Sequence, residues 1–232
     1  MWDVAVVNKR ADVYGKPGRM PDDVAENLIR KQGMGIWNVF AALYGTAEQV
    51  AVNWKMVEAT FKALGGKIIV EQDVPDDVCF QYRKAMFSGT PTLREFGLYN
   101  WRGGGGSLWF APVAQARGNE TVKQMKMTRA TLDEYGIDYV AVFIVGWRDM
   151  HHVVDLLYDR TKPEEMRNAY ECYDKLVRQF AAEGYGICRT NIAFMDQVAD
   201  TFGPVKKAVN LKIKKALDPN GILSPGKSGI HA

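Results

Sequence analysis

The chain has 232 residues, 47% of them apolar and 11% aromatic, which suits one large domain or one and a half small ones around a sizeable core. A formal charge of +3, with basic residues dispersed apart from Lys212–Lys215, leaves no electrostatic footprint for nucleic acid. Cys79, Cys172 and Cys188 are odd in number and lack C-x-x-C spacing, so neither a disulfide framework nor a zinc site is signalled, and buried or lining thiols are expected.

In chain order, helix and strand signals alternate. Pro21 at a first helical position, the periodic Val24, Leu28 and Ile29, and the closing Gly33 predict a short helix, followed by a strand over Ile36–Tyr44. Thr46 with Gln49 three residues on makes a capping box for a long helix to Leu64, stopped by Gly65 and Gly66. Lys67–Glu71 reads as a strand, and Pro75 opens a helix through Phe87. Ser107–Val113 is a further strand, and Asn119–Tyr135 a further helix. Asp138–Gly146 and Met150–Asp159, joined by Trp147–Asp149, form a β-hairpin with mostly apolar faces. Pro163 starts a helix to Ala182, Gly186–Thr190 is a short strand, and the chain is helical from Ile192 until Asp218–Gly221 breaks it. The order predicts an α+β fold with a largely antiparallel sheet flanked by helices. No charged n-region with an apolar h-region opens the chain, and no apolar run approaches the ~20 residues that span a bilayer. The residues therefore direct it neither to a membrane nor out of the cell; cytoplasm and periplasm stay open.

Four consecutive glycines, Gly103–Gly106, lie between Trp101 and Trp109, with Tyr99 just upstream. They lack the Lys-Ser/Thr of a P-loop and precede a strand. One reading is a loop of left-handed glycines; the other is close backbone approach to a flat ligand stacked by Tyr99, Trp101, Trp109 and Phe110. His151 and His152 fall on opposite faces of their strand, with Asp149 or Asp155 as orienting partners, and His151 shares a face with Asp155. A metal site needs at least three ligands, and none can be assembled. Arg189 ends an apolar strand, where it meets either a buried carboxylate or an anionic ligand. Glu95 sits in a polar stretch, and Leu217–Ile230 reads as a closing segment pinned against another surface.

The segments Met34–Gly45, Trp101–Val113, Asp138–Asp155, Arg189–Lys206 and Lys214–Ile230 together resemble the C-terminal half of the vanillyl-alcohol oxidase and p-cresol methylhydroxylase family of FAD enzymes. "WRGGGGS" and "MHHVVDLLYDRT" look most like the tyrosine-linked methylhydroxylases within it. The resemblance implies FAD tied covalently through its 8α-methyl group. The oxidase histidine position falls on Ser107, which cannot serve, and the methylhydroxylase tyrosine falls on Tyr99. By the same carry-over Glu95, Trp109, His151 and Arg189 fall on active-site positions: Arg189 would hold a phenolate, and Glu95 or His151 would move protons. Cys188 stands where the family has a phenol-binding tyrosine, Val142 where methylhydroxylases have a glutamate, and Lys227 where arginine is typical. These departures imply a larger or more apolar 4-alkylphenol than p-cresol.

The family's architecture makes residues 1–192 substrate cap and 193–232 a return to the FAD-binding domain, the rest of which lies N-terminal to this half. The expected partners are that FAD-binding half, a c-type cytochrome and a second flavoprotein copy. The chain is then a fragment, a truncated product or one piece of a split enzyme. A non-catalytic α+β module that binds an aromatic ligand is the alternative.

Overall fold

Apolar residues of alternating direction across the middle of the chain build one antiparallel sheet. In the computed structural model, which describes residues 1–231, it contains β1 (Gly106–Phe110), β2 (Pro112–Gln115), β3 (Ala141–Val145), β4 (Asp149–Tyr158) and β5 (Gly186–Ile187). β4 is the axis. β3 pairs with Met150–Val154, while β1 and β2 run in a single register along β4, opposite Val154–Tyr158 and Asp149–His151. They are in effect one strand interrupted at Ala111, whose carbonyl turns outward to accept from the Cys188 amide at 2.9 Å. The nine helices of the described residues are α1 (Trp2–Val7), α2 (Arg10–Val13), α3 (Asp22–Lys31), α4 (Ala47–Ala63), α5 (Val78–Phe87), α6 (Gly118–Glu134), α7 (Pro163–Ala182), α8 (Met195–Asp200) and α9 (Pro204–Leu217).

Residues paired across an antiparallel ladder point to the same face. Leu108, Phe110, Val154 and Leu156 therefore share one face, against which α7 buries Ala169, Cys172, Tyr173, Leu176, Val177 and Phe180. Phe110 meets Tyr173 and Phe180 edge-on at 5.8 and 5.0 Å, the geometry ring quadrupoles favour. The opposite face carries Val153 and Leu157 and is covered by Trp2, Val4 and Ala5 of α1, Ile29 of α3, and Leu98 and Trp101. That second face is where the candidate site lies.

Local signals place most helices well: the Thr46–Gln49 capping box forms, and α7 begins at Pro163. Four elements differ. Neither Ile36–Tyr44 nor Lys67–Glu71 is a strand, and neither pairs with the sheet. Phe40 instead lies under the Arg83 guanidinium at 3.8 Å, and Tyr44 donates its hydroxyl to the Phe87 carbonyl at 2.7 Å. α5 starts at Val78 rather than Pro75, since the Asp77 carboxylate accepts from the Phe80 amide and caps it there. The C-terminal helix is broken at Thr201–Gly203, before Pro204 restarts it as α9. Beyond α9, Asp218 accepts from the amides of Ile222 and Leu223, and the turn Lys227–Gly229 packs on α8. No helix among the described residues is long and apolar enough to cross a membrane.

Candidate functional site

The register of β4 sorts the site residues. Ser107 opposes Leu157, Trp109 opposes Asp155, Val142 opposes Val153, and His151 opposes Val113 on one side and Ile144 on the other. Ser107, Trp109, Val142, His151 and Asp155 thus share the second face. His152 points the other way and is fully buried: it stacks on Phe143 at 4.2 Å and bonds the Tyr139 hydroxyl at 2.8 Å, and burial pushes its imidazole down to about 3. It is a neutral core histidine.

A seven-residue 3₁₀ segment, Arg94–Asn100, lies over this face and brings Glu95 and Tyr99 to it. The Trp109 indole donates to the Tyr99 hydroxyl oxygen at 3.0 Å, and Phe96 stacks on the Tyr99 ring at 5.4 Å. Trp2 packs edge-on against Trp109 at 5.6 Å and donates its own indole hydrogen to Glu95 at 3.0 Å. Glu95, Tyr99, Ser107 and Trp109 are each half-buried, so one edge of the cluster stays open. Partial burial raises the Tyr99 phenol above its ordinary value.

Of the two orienting partners the sequence offered for the histidines, the structure selects Asp149 for His151 and gives Asp155 another role. His151 bonds Asp149 at 2.9 Å, two residues away, whereas the Asp155 carboxyl accepts the Ser107 hydroxyl at 2.6 Å across the β1–β4 ladder. It is fully buried, its second oxygen has no partner, and burial pushes it up to about 7. An acidic residue inside the apolar run of β4 is the sequence signal for it. Trp2 carried none.

The glycine run has a packing explanation. Gly103 and Gly105 take positive φ, and a Cβ on Gly104 would lie 1.9 Å from an Asp159 carboxylate oxygen. The loop is pressed onto the end of β4, with the Arg160 side chain donating to the Gly104 carbonyl at 3.0 Å. Close approach is to the protein's own backbone, and the left-handed-loop reading holds. Just before the run, buried Asp138 accepts from Trp101 at 2.9 Å, Arg10 at 2.7 Å and the Met20 amide at 2.6 Å, which anchors the loop's start.

Arg189 lies beyond the short β5 and is exposed; among the described residues it pairs with no carboxylate, which removes the buried-ion-pair reading. Cys188 beside it is an exposed free thiol, unlike buried Cys79 and Cys172. Continuing the register sets Val142, Val153, Ala111 and Cys188 in one row across the sheet. Lys227 is exposed on its turn against α8 and joins none of these contacts.

This sheet and its covering elements define a class. Residues 118–228 match the FAD linked oxidases, C-terminal domain, and the chain carries that domain. Over 99% of its length it is 52% identical to the 4-cresol dehydrogenase (hydroxylating) flavoprotein subunit of Pseudomonas putida, of which it covers 44%. It superposes with a TM-score of 0.95, at 52% identity, on p-cresol methylhydroxylase with substrate bound, covering 99% of this chain and 45% of that one. A 4-ethylphenol oxidase from Gulosibacter chungangensis in complex with isoeugenol matches with a TM-score of 0.94 at 32% identity, covering 99% and 46%. The chain spans less than half the length of these relatives.

Proposed function

We propose that this chain is the cap portion of a flavin-dependent 4-alkylphenol dehydrogenase, with residues 1–192 closing over substrate and 193–232 returning to a FAD-binding half. The observation that carries this reading is the convergence of Trp2, Glu95, Tyr99, Ser107 and Trp109 from three separate elements, α1, the 3₁₀ segment and β1, onto one open-edged aromatic patch. The 52% identity to a 4-cresol dehydrogenase flavoprotein subunit supports it.

The residues fit FAD. The Tyr99 oxygen is held by a single indole donor at the half-exposed rim of the patch, which suits a covalent link, and Ser107 removes any histidine alternative at the neighbouring position. FAD, when bound, accepts the hydride taken from the substrate's benzylic carbon. Tyr99 and Ser107 would hold its ring edge, and Lys227 its more distant parts.

Arg189 has a guanidinium with no internal counter-ion, so it favours the ionised form of a phenol placed against it. Ionisation pushes electron density toward the para carbon and eases hydride loss there. Water then adds to the oxidised benzylic carbon to give an alcohol. Glu95, fixed by Trp2, or His151, fixed by Asp149, takes the proton that water releases. Val142, Trp109 and Cys188 line the substrate side, and the reduced enzyme passes electrons to a c-type cytochrome partner, with a second flavoprotein copy completing the assembly.

The test is mass spectrometry of the natively purified protein after digestion. A flavin-modified peptide containing Tyr99 is the expected result. Colourless protein with only unmodified Tyr99 would replace this reading with that of an aromatic-binding module.

A further inference from the structure

Asp155 has no place in the chemistry above, yet its setting is unusual. Among the described residues it is a fully buried carboxyl on β4 with no arginine, lysine or backbone amide to pair with, and one oxygen without a hydrogen-bond partner. Buried carboxyls without a counter-ion are costly and are kept where a proton is handled. Its one hydrogen-bond partner among those residues is the Ser107 hydroxyl, at 2.6 Å. Ser107 lies two residues from Trp109 on the same face of β1, and the Trp109 indole donates to the Tyr99 oxygen at 3.0 Å. Tyr99, Ser107 and Asp155 thus sit on one face, from the rim of the patch to the interior of the sheet.

We propose that Asp155, acting through Ser107, takes the hydroxyl proton of Tyr99 and so readies that oxygen to bond to flavin. The inference rests on the reading of Tyr99 as the linking residue. The Tyr99 hydrogen passes to Ser107 Oγ as the Ser107 hydrogen passes to the Asp155 carboxylate. One proton moves, leaving a phenolate at Tyr99 and a carboxylic acid at Asp155, and the Trp109 N–H steadies the phenolate oxygen. The phenolate supplies the electron pair of the new C–O bond while the flavin methyl carbon loses one hydrogen as a proton. That carbon is oxidised by two electrons, which leave to an external oxidant of the quinone or cytochrome class. Burial that pushes Asp155 up to about 7 makes it a base able to hold the proton near neutrality.

The experiment uses apo-protein assembled with its flavin-binding half, mixed with FAD and a quinone. Quenching of flavin fluorescence reads non-covalent binding, and timed digestion with mass spectrometry reads the Tyr99 adduct. Asp155→Asn keeps the size and a hydrogen bond to Ser107 but cannot take a proton. Its adduct should form about 100-fold more slowly, with FAD affinity unchanged. Ser107→Ala, which interrupts the path without removing the buried carboxyl, should slow the adduct to the same degree when FAD is saturating, and it decides the matter if Asp155→Asn does not fold. Adduct formation at the wild-type rate in either folded variant overturns the proposal, as does a parallel loss of affinity and rate, which marks a purely structural role. Absence of adduct in the wild type instead removes the linkage reading itself, and the proposal with it.

Discussion

The indole nitrogen of Trp2 donates to the Glu95 carboxylate at 3.0 Å, joining residues 93 positions apart. A tryptophan buried to 4% exposure holds a half-buried acid at the edge of the site. Trp2→Phe keeps an aromatic ring against Trp109 and removes only the donor. Hydrogen bonds to charged groups contribute about 1.5–3 kcal/mol, and this variant should lose stability of that order in urea unfolding. In the assembled enzyme it should also lower kcat, because Glu95 loses the bond that fixes its carboxylate at the edge of the site.

Two buried groups three positions apart on β4 should cancel in the pH dependence of stability. Asp155 is raised from 3.8 to about 7, so its contribution is complete below 3.8 and is lost as pH rises through about 7. His152 is lowered from 6.5 to about 3, so its contribution is complete above 6.5 and is lost as pH falls toward about 3. Between these limits the slopes oppose, each at up to about 1.4 kcal/mol per pH unit. Urea midpoints of the wild type should therefore be nearly flat from about pH 4 to 6.5. Asp155→Asn should become more stable as pH rises through this window, and His152→Gln less stable. Asp22, Asp159 and Asp218, all held below the usual carboxylate range, titrate beneath it.

The glycines of the loop are not equivalent. An alanine at Gly104 meets Asp159 and the Arg160 backbone amide at 1.9 and 2.6 Å, whereas at Gly103 it meets open space and only the positive φ. Gly104→Ala should cost about 2–3 kcal/mol by overpacking, and Gly103→Ala about 1 kcal/mol, read as the difference in thermal midpoints.

The row Val142, Val153, Ala111 and Cys188, proposed above to lie on the substrate side, carries no carboxylate or phenol. Steady-state kcat/KM in the assembled enzyme should therefore rise from p-cresol to 4-alkylphenols with longer chains, by about 10-fold for one or two added methylenes in an apolar pocket. A maximum at p-cresol would contradict the reading of Val142 and Cys188.

What the sequence determined by itself was everything written in local physics. The Thr46–Gln49 box, Pro163 at the start of α7 and the hairpin around Trp147 each depend on neighbours within a few residues, and each formed where it was read. Alternation along β4 likewise fixed that His151 and His152 face opposite ways. The resemblance carried by whole segments supplied the fold class, while Tyr99, Ser107 and Trp109 as a group wait for the ladder that brings them together. Ile36–Tyr44 and Lys67–Glu71 carry an apolar strand pattern like that of β4, yet neither joins the ladder. A strand is a two-body object, so its existence depends on a partner the local pattern does not contain. The partners of Asp155 and Glu95 were decided in the same way. Sequence left Asp149 and Asp155 both open as partners of His151; the structure gives His151 to Asp149, while register and the docking of α1 give the Asp155 and Glu95 carboxyls to Ser107 and Trp2. Contacts over 48 and 93 positions are set by how the elements pack, and packing is a property of the whole chain.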